Sequence, residues 1–241
     1  MISRYITIGI AFISISIAAQ KVEKLKAVKW NSVEMPEPSD ICYNAISNTF
    51  FIVSDSGQLS ETDTEGKIIR KLKVNNRDFE AVYCNDKYVY CVDESNRDIY
   101  KYDIKTLEQI DVVNKPFKGA RNKGYESFTY NAKRNIFILI TERDPIHLFE
   151  LDENFKTLKE IEMSYIARDI SSATFHDGFL WLLSDENMMI MKLNPDTYEV
   201  LKKWSIPVIN PEGIAFDKNG NVLITSDDLQ RLYFFNNPEK L

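Results

Sequence analysis

The sequence is poor in the residues that most catalytic and cofactor sites require. Its 241 residues include 2 histidines, 3 cysteines and 8 glycines. Two histidines, His147 and His176, are too few for a histidine-rich zinc site, and the sequence contains no glycine-rich phosphate loop. A Ser-His-Asp triad would need Ser171 or Ser172 beside His176, and no nucleophile-elbow motif supports that arrangement. These shortages exclude most catalytic templates and leave carboxylates as the main source of chemistry.

Positive charge is also scarce. The chain has 30 Lys and Arg against 36 Asp and Glu, a formal net charge of −6. Nucleic-acid binders need a basic face, so a phosphate-backbone partner is excluded. Basic residues cluster once, at Lys115, Lys118, Arg121 and Lys123, which indicates a solvated surface loop.

A long apolar run occurs only at the N-terminus. Arg4 precedes the apolar residues 5–17, and small residues follow up to Ala19. This order is typical of a secretory signal peptide, here residues 1–19, with cleavage predicted between Ala18 and Ala19 or one residue later. About 15 apolar residues fall short of the roughly 20 that a spanning helix needs. We therefore expect a periplasmic or secreted protein; the alternative is a membrane anchor formed by an uncleaved N-terminal segment.

The three cysteines are Cys42, Cys84 and Cys91. An odd number leaves at least one thiol free. Cys84 and Cys91 flank a short turn, and a hairpin centred there would not place them opposite each other. The sequence favours buried thiols that behave as small apolar residues, and it leaves open whether a disulfide forms.

Aromatic residues are abundant, with 14 Phe and 12 Tyr, and they belong to a repeated hairpin. Its clearest copy, residues 211–228, reads as an opening acid, an alternating strand, a Lys-Asn-Gly-Asn turn, a second strand and an acidic corner. The five openings are residues 38–41, 79–82, 125–128, 170–173 and 211–214. Their second positions recur every 41–46 residues. Four short antiparallel strands at such a period are typical of a β-propeller blade.

The repeat predicts an all-β fold, a single propeller of five four-stranded antiparallel blades over residues 20–241, with six blades as the alternative. The fifth copy is too short for its fourth strand. We expect the N-terminal strand, around residues 22–30, to complete that blade and close the ring, which removes exposed sheet edges. A continuous register without a linker argues against two sandwich domains.

Several segments resemble the SdiA-regulated family, bacterial exported or membrane-associated proteins related to NHL-repeat propellers. The segments that carry the resemblance are residues 122–126, 141–145, 169–172, 183–186 and 210–217. The sequence departs from the pattern because a glycine follows the opening position only in the fifth copy, at Gly213. The resemblance implies a propeller fold and an extracytoplasmic location, and it brings no established activity.

The repeat also predicts where acidic residues gather. The start of each first strand and the end of each second strand lie on the same side of a blade, because these strands are antiparallel. The inner positions nearest the channel are Glu80, Glu126 and Glu212, with Ser39 and Ser171 in the other two copies. The outer corners are Asp55, Asp93, Glu142, Asp185 and Asp227. Three further acids, Glu37, Asp78 and Asp169, lie two residues before an opening.

Many carboxylates on one face suit a hard cation that prefers oxygen ligands. Three inner glutamates would raise one another's pKa values unless a cation compensates. We expect Ca²⁺, or Mg²⁺, or a cationic ligand group at Glu80, Glu126 and Glu212. The neutral donors would be Ser39, Ser171 and Asn210. The alternatives are local: turn acids can bond to their own backbone, and basic residues at Arg77, Lys123 or Arg168 can neutralise the ring.

The sequence thus favours an extracytoplasmic binding module, expected to be a monomer, that binds a cation and a small ligand or a protein on its acidic face. One alternative is a metal-dependent hydrolase, by fold analogy with lactonase and phytase propellers. Another is an interaction scaffold that uses the blade rims. The residues alone leave open whether the protein is an enzyme.

Overall fold

The computed structural model describes residues 22–118 and 123–240. These residues form 21 β-strands and one short 3₁₀ helix, Pro238–Lys240. No helix in these two ranges has the length and apolar character needed to cross a bilayer. The predicted signal peptide, residues 1–19, lies outside the described residues.

The strands are short and follow one another at regular intervals. In chain order they are β1 (Glu23–Lys24), β2 (Ala27–Ser32), β3 (Pro38–Asn44), β4 (Thr49–Ser54), β5 (Gln58–Thr62), β6 (Ile68–Lys73), β7 (Phe79–Cys84), β8 (Tyr88–Asp93), β9 (Asp98–Asp103), β10 (Gln109–Asn114), β11 (Tyr125–Asn131), β12 (Ile136–Thr141), β13 (His147–Leu151), β14 (Thr157–Glu162), β15 (Ser172–His176), β16 (Phe179–Ser184), β17 (Met189–Leu193), β18 (Val200–Ser205), β19 (Pro211–Phe216), β20 (Val222–Ser226) and β21 (Arg231–Phe235).

These strands form five sheets, each one blade of a propeller. Blade one contains β3 to β6, blade two β7 to β10, blade three β11 to β14 and blade four β15 to β18. Blade five contains β19 to β21 and takes its outer strand, β2, from the N-terminal side of the chain. Neighbouring strands of each four-stranded blade are antiparallel. The predicted all-β propeller with five blades is therefore confirmed.

The N-terminal segment closes the ring, with one refinement of the prediction. β2 pairs antiparallel with β21, and Trp30 lies opposite Tyr233. The residues just before it behave differently: β1 pairs in parallel with β18, Glu23 opposite Trp204, and adds a fifth strand to blade four. The segment that was predicted to serve blade five alone therefore ties blades four and five together.

The core lies between neighbouring blades. All six residues of β4 and of β12 are buried, because each has blade neighbours on both faces. Trp181 of blade four packs against Phe216 of blade five, with ring centroids 4.8 Å apart. Fully burying a large apolar side chain contributes about 1.5–3 kcal/mol, so these contacts hold the blades in place.

The inner strands of blades one, two, four and five contact one another around the middle of the channel. Asp40 of blade one is buried and accepts hydrogen bonds from Ser172 Oγ of blade four, at 2.7 Å, and from the Val82 amide of blade two, at 2.8 Å. A Cβ at Gly213 of blade five would lie 2.8 Å from the Asp40 Cα. Only glycine therefore fits there, which explains the single copy that keeps it.

Candidate functional site

A shared irregularity of the inner strands turns side chains toward the channel. In blades one, two, three and five, strand pairing slips by one residue at the second position of the opening. The extra residues are Ser39, Glu80, Glu126 and Glu212. A β-bulge of this kind bends the strand and re-aims the extra side chain. Local backbone geometry thus positions the inner acids.

These side chains line a cavity of about 170 Å³ at one mouth of the channel. Eight of its ten lining residues carry a carboxyl group, and the other two are serines. The lining is Ser39, Asp55, Glu80, Glu126, Glu142, Asp169, Ser171, Asp185, Glu212 and Asp227. We call this space the acidic cavity. The structure brings together the three predicted inner glutamates and four of the five predicted corner acids.

The inner glutamates have strongly perturbed proton affinities. Burial, with smaller contributions from Asp185 and Asp227, raises the pKa of Glu212 to about 8. Burial and then nearby carboxylates also raise the pKa of Glu80 and of Glu126 well above the usual range. No hydrogen bond or ion pair joins these three carboxyl groups to any other residue in the described ranges 22–118 and 123–240. Arg143 interacts electrostatically with Glu126 but forms no ion pair with it.

The outer wall of the acidic cavity is similarly perturbed. Burial and a hydrogen bond with Glu37 raise the pKa of Asp55 to about 7. Burial raises the pKa of Glu142 to about 7, although Arg143 opposes the shift at 3.0 Å. Burial and Asp169 raise the pKa of Asp185 to about 6. Several carboxyl groups of the acidic cavity therefore have pKa values of about 6 to 8.

Asp93 is the one predicted corner acid that does not line the acidic cavity. It is the last residue of β8, the position that Ser54, Thr141, Ser184 and Ser226 occupy in other blades. Its carboxylate accepts hydrogen bonds from the backbone and side-chain nitrogens of Asn96, at 3.0 and 2.8 Å. The corner itself is Glu94, which accepts a hydrogen bond of 2.6 Å from the Gly124 amide. Both Asp93 and Glu94 of blade two therefore accept hydrogen bonds from backbone amides.

The predicted neutral donors fall into two groups. Ser39 and Ser171 line the acidic cavity. Each hydroxyl donates to a backbone carbonyl, that of Glu37 at 3.3 Å and that of Pro211 at 2.8 Å. Asn210 is not part of the lining, and its side-chain amide donates to Asp228 at 2.6 Å.

Among the acids that precede an opening, Asp169 alone lines the acidic cavity. It is 2% exposed and accepts hydrogen bonds from Ser184 Oγ at 2.6 Å and from the amides of Asp185 and Glu186 at 3.1 Å. These donors hold the corner of blade four in place. Asp169 therefore acts chiefly as a structural support of the cavity wall.

Two of the three basic residues that were expected to neutralise the ring, Arg77 and Lys123, form ion pairs with acids outside the acidic cavity. Arg77 lies 3.7 Å from Asp93, and Lys123 lies 2.7 Å from Asp144. Arg143 contacts Glu142 and Glu186. Lys123, Arg143 and Arg168, together with the carboxylates of Asp144 and Glu186, line a neighbouring cavity of about 590 Å³, which we call the cationic cavity. Within residues 22–118 and 123–240, no three His, Cys, Asp or Glu side chains are already arranged as a metal site.

The fold defines the chain as a five-bladed β-propeller with an acidic channel mouth. A solved structure with a similar fold is the Myxococcus xanthus glutaminyl cyclase (TM-score 0.74, 11% identity, 89% of this chain and 98% of that chain). Another is the β-propeller domain of Cps50 (Swd1) from Myceliophteria thermophila (TM-score 0.58, 7% identity, 88% and 99%). These likenesses show the fold alone.

A model of the SdiA-regulated family matches residues 19–236. The chain belongs to this family, as the resemblance of its sequence segments indicated.

Proposed function

We propose that the protein is an extracytoplasmic binding module whose acidic cavity takes up a positively charged group, either a divalent cation such as Ca²⁺ or Mg²⁺ or the ammonium group of a ligand. The observation that carries this proposal is the set of three inner glutamates that line one cavity and form no hydrogen bond or ion pair with any described residue. The apolar N-terminal sequence supports the extracytoplasmic part.

Electrostatics favours such an occupant. Opposite charge within 4–6 Å favours the ionised form of a carboxyl group, whereas burial and like charges oppose it. A cation in the acidic cavity would therefore lower the raised pKa values of Glu80, Glu126 and Glu212 and release protons on binding. Ca²⁺ takes six to eight oxygen ligands in flexible geometry, so it can combine carboxylates, the hydroxyl groups of Ser39 and Ser171, and water.

The neighbouring cationic cavity suggests a ligand that carries both charges. Three pairs of consecutive residues, 142–143, 168–169 and 185–186, form the wall between the two cavities, one residue of each pair facing each side. The amide of Ile170 bonds to the carbonyl of Glu142 at 2.9 Å and fixes this wall. Arg168 lines the cationic cavity and is exposed. A small zwitterion could place its ammonium group among the glutamates and its carboxylate near Arg168.

The test is thermal unfolding with EDTA, and then with added calcium or magnesium. A resident cation predicts a lower melting temperature in EDTA, restored by calcium. The variant Glu80→Gln/Glu126→Gln/Glu212→Gln should lose the response. A matched control removes three exposed acids without described partners, Glu34→Gln/Asp86→Asn/Glu153→Gln, and should keep it. If neither EDTA nor either metal ion changes the melting temperature of the wild-type protein, the proposal that a divalent cation binds in the acidic cavity is wrong.

The ligand form has its own readout. Calorimetric titration with a small zwitterion such as glycylglycine should show binding that weakens in Arg168→Gln and in the triple glutamate variant. N-acetylated glycylglycine, which lacks the ammonium group, should not bind. Equal binding of both compounds would contradict an ammonium site in the acidic cavity.

A second candidate is an acyl-transfer enzyme, favoured by the shared architecture with a glutaminyl cyclase. Cyclisation of an N-terminal glutamine needs a proton to leave the attacking α-amine and to reach the departing ammonia. A carboxyl group with a pKa near the working pH suits that task, and Glu212, at about 8, is such a group. A glutaminyl peptide should then lose 17 Da in a Glu212-dependent reaction. Absence of that product would exclude cyclase activity and would leave the proposal of cation binding unaffected. Assays of ester, lactone and phosphate-ester hydrolysis in the presence of calcium test the alternative hydrolase activity.

A further inference from the structure

The channel has a second mouth with different chemistry. The inner strands β3, β7, β11, β15 and β19 end there, at the side opposite the acidic cavity. A cavity of about 310 Å³ lies among these ends, which we call the aromatic cavity. Its lining includes Tyr43, Tyr83, Tyr130, Phe175 and Phe216, together with the thiols of Cys42 and Cys84.

Cys42 and Cys84 both lie at the interface between blades one and two. Cys42 lies on β3 and Cys84 is the last residue of β7, and both belong to one packed cluster between these blades. Cys84 Sγ lies 3.4 Å from the carbonyl oxygen of Tyr43, the residue after Cys42. The Cys84 thiol is close enough to Cys42 to be, after burial, among the causes that raise the pKa of the Cys42 thiol.

The third cysteine has a different environment. Cys91 belongs to the same cluster but lies on β8, where it pairs with Val82 rather than with Cys84. It is fully buried, whereas Cys42 and Cys84 each keep 8% exposure and line the aromatic cavity. A reagent that enters this cavity therefore meets Cys42 and Cys84 and not Cys91.

We propose that Cys42 and Cys84 are a modification site, a thiol pair that a small disulfide oxidant converts into a disulfide between the inner strands of blades one and two. One cysteine thiolate attacks the reagent's S–S bond and releases one reagent thiolate. The second cysteine thiolate attacks the protein sulfur of the mixed disulfide and releases the other. The two protein thiols are oxidised, the reagent is reduced to two thiols, and the two cysteine protons end on them.

The environment of the two thiols determines the rate of disulfide formation. Burial is the main cause that raises the pKa of the Cys42 thiol, so little thiolate exists at neutral pH. Formation of the disulfide should therefore be slow at pH 7 and faster at pH 9. Once formed, the bond closes a loop of about 40 residues and restricts the unfolded chain, so the melting temperature should rise by roughly 5–10 °C.

The experiment uses the full chain and bis(2-hydroxyethyl) disulfide at pH 7 and 9. After removal of the reagent, the protein is unfolded and its thiols are alkylated and counted by mass. The proposal expects a loss of 2 Da, one alkylated thiol at Cys91, and a cross-linked peptide that joins Cys42 to Cys84. Cys91→Ser should form the same bond, and Cys42→Ser and Cys84→Ser should not.

Three alkylated thiols, a bond to Cys91, or a mixed disulfide that persists at Cys84 would each overturn the proposal. Peptide mapping of the wild type gives this answer even if a serine variant fails to fold. The acidic cavity takes no part in the reaction, so the outcome is independent of the proposed function.

Discussion

Replacing Glu212 with glutamine should stabilise the fold at alkaline pH, which is unusual for a substitution in a channel. Its carboxyl group has a pKa of about 8 in the folded protein and about 4.5 in the unfolded chain. Below pH 4.5 both states are protonated, and the group does not affect stability. As the pH rises toward 8, the unfolded chain ionises first, and the folded state loses stability relative to it.

The magnitude follows from that difference. At about 1.4 kcal/mol per tenfold change in proton affinity, a rise from 4.5 to about 8 sets an upper bound of about 5 kcal/mol. Solvent screening of the half-buried side chain and relaxation of its acidic neighbours reduce this value. We expect Glu212→Gln to raise the free energy of unfolding by about 1–3 kcal/mol at pH 8.5 without divalent cations, and by nearly nothing at pH 5.

Urea unfolding at both pH values, followed by circular dichroism, measures this difference. Glu150→Gln is a control of opposite sign. Burial opposes ionisation of Glu150, but Arg134 at 2.7 Å and Tyr198 at 2.8 Å outweigh it and lower the pKa. Its stabilising effect is present above pH 4.5 and is lost at lower pH, so the control should destabilise at pH 8.5, by about 3 kcal/mol. Equal effects of Glu212→Gln at pH 5 and 8.5 would refute the reasoning.

Three other outcomes can be checked. Deleting residues 22–32 removes β1 and β2, opens the ring between blades four and five, and should lower the melting temperature by more than 10 °C; unchanged melting would contradict closure by this segment. Gly213→Ala places a Cβ 2.8 Å from the Asp40 Cα and should lower the free energy of unfolding in urea by about 1–3 kcal/mol, whereas a cost below about 0.5 kcal/mol would show that the inner strands can move apart. The intact mass of protein recovered from the host envelope should lack residues 1–18, whereas a mass that retains them would indicate an anchor.

The repeat period was sufficient to predict the blades, because each blade must alternate apolar residues with a fixed spacing to pack against its neighbours. It also placed the inner glutamates, since one register repeats around the ring. It could not separate Asp93 from Glu94: both are acidic, and only strand pairing shows which one ends β8. Nor could it reveal that β1 joins blade four, because two residues of a parallel pair carry no recognisable pattern.

Contacts between the inner strands lie between the two mouths of the channel. The Asp40–Ser172 contact and the tight fit at Gly213 lie between the acidic cavity and the aromatic cavity, and the two cavities share no lining residue. Sites that share no partner usually have additive effects on stability, within about 0.5 kcal/mol. Glu212→Gln and oxidation of Cys42 with Cys84 should therefore add in a double cycle. A larger coupling would mean that strain passes through the inner strands, and Asp40, which contacts blades two and four, is the residue through which it would travel.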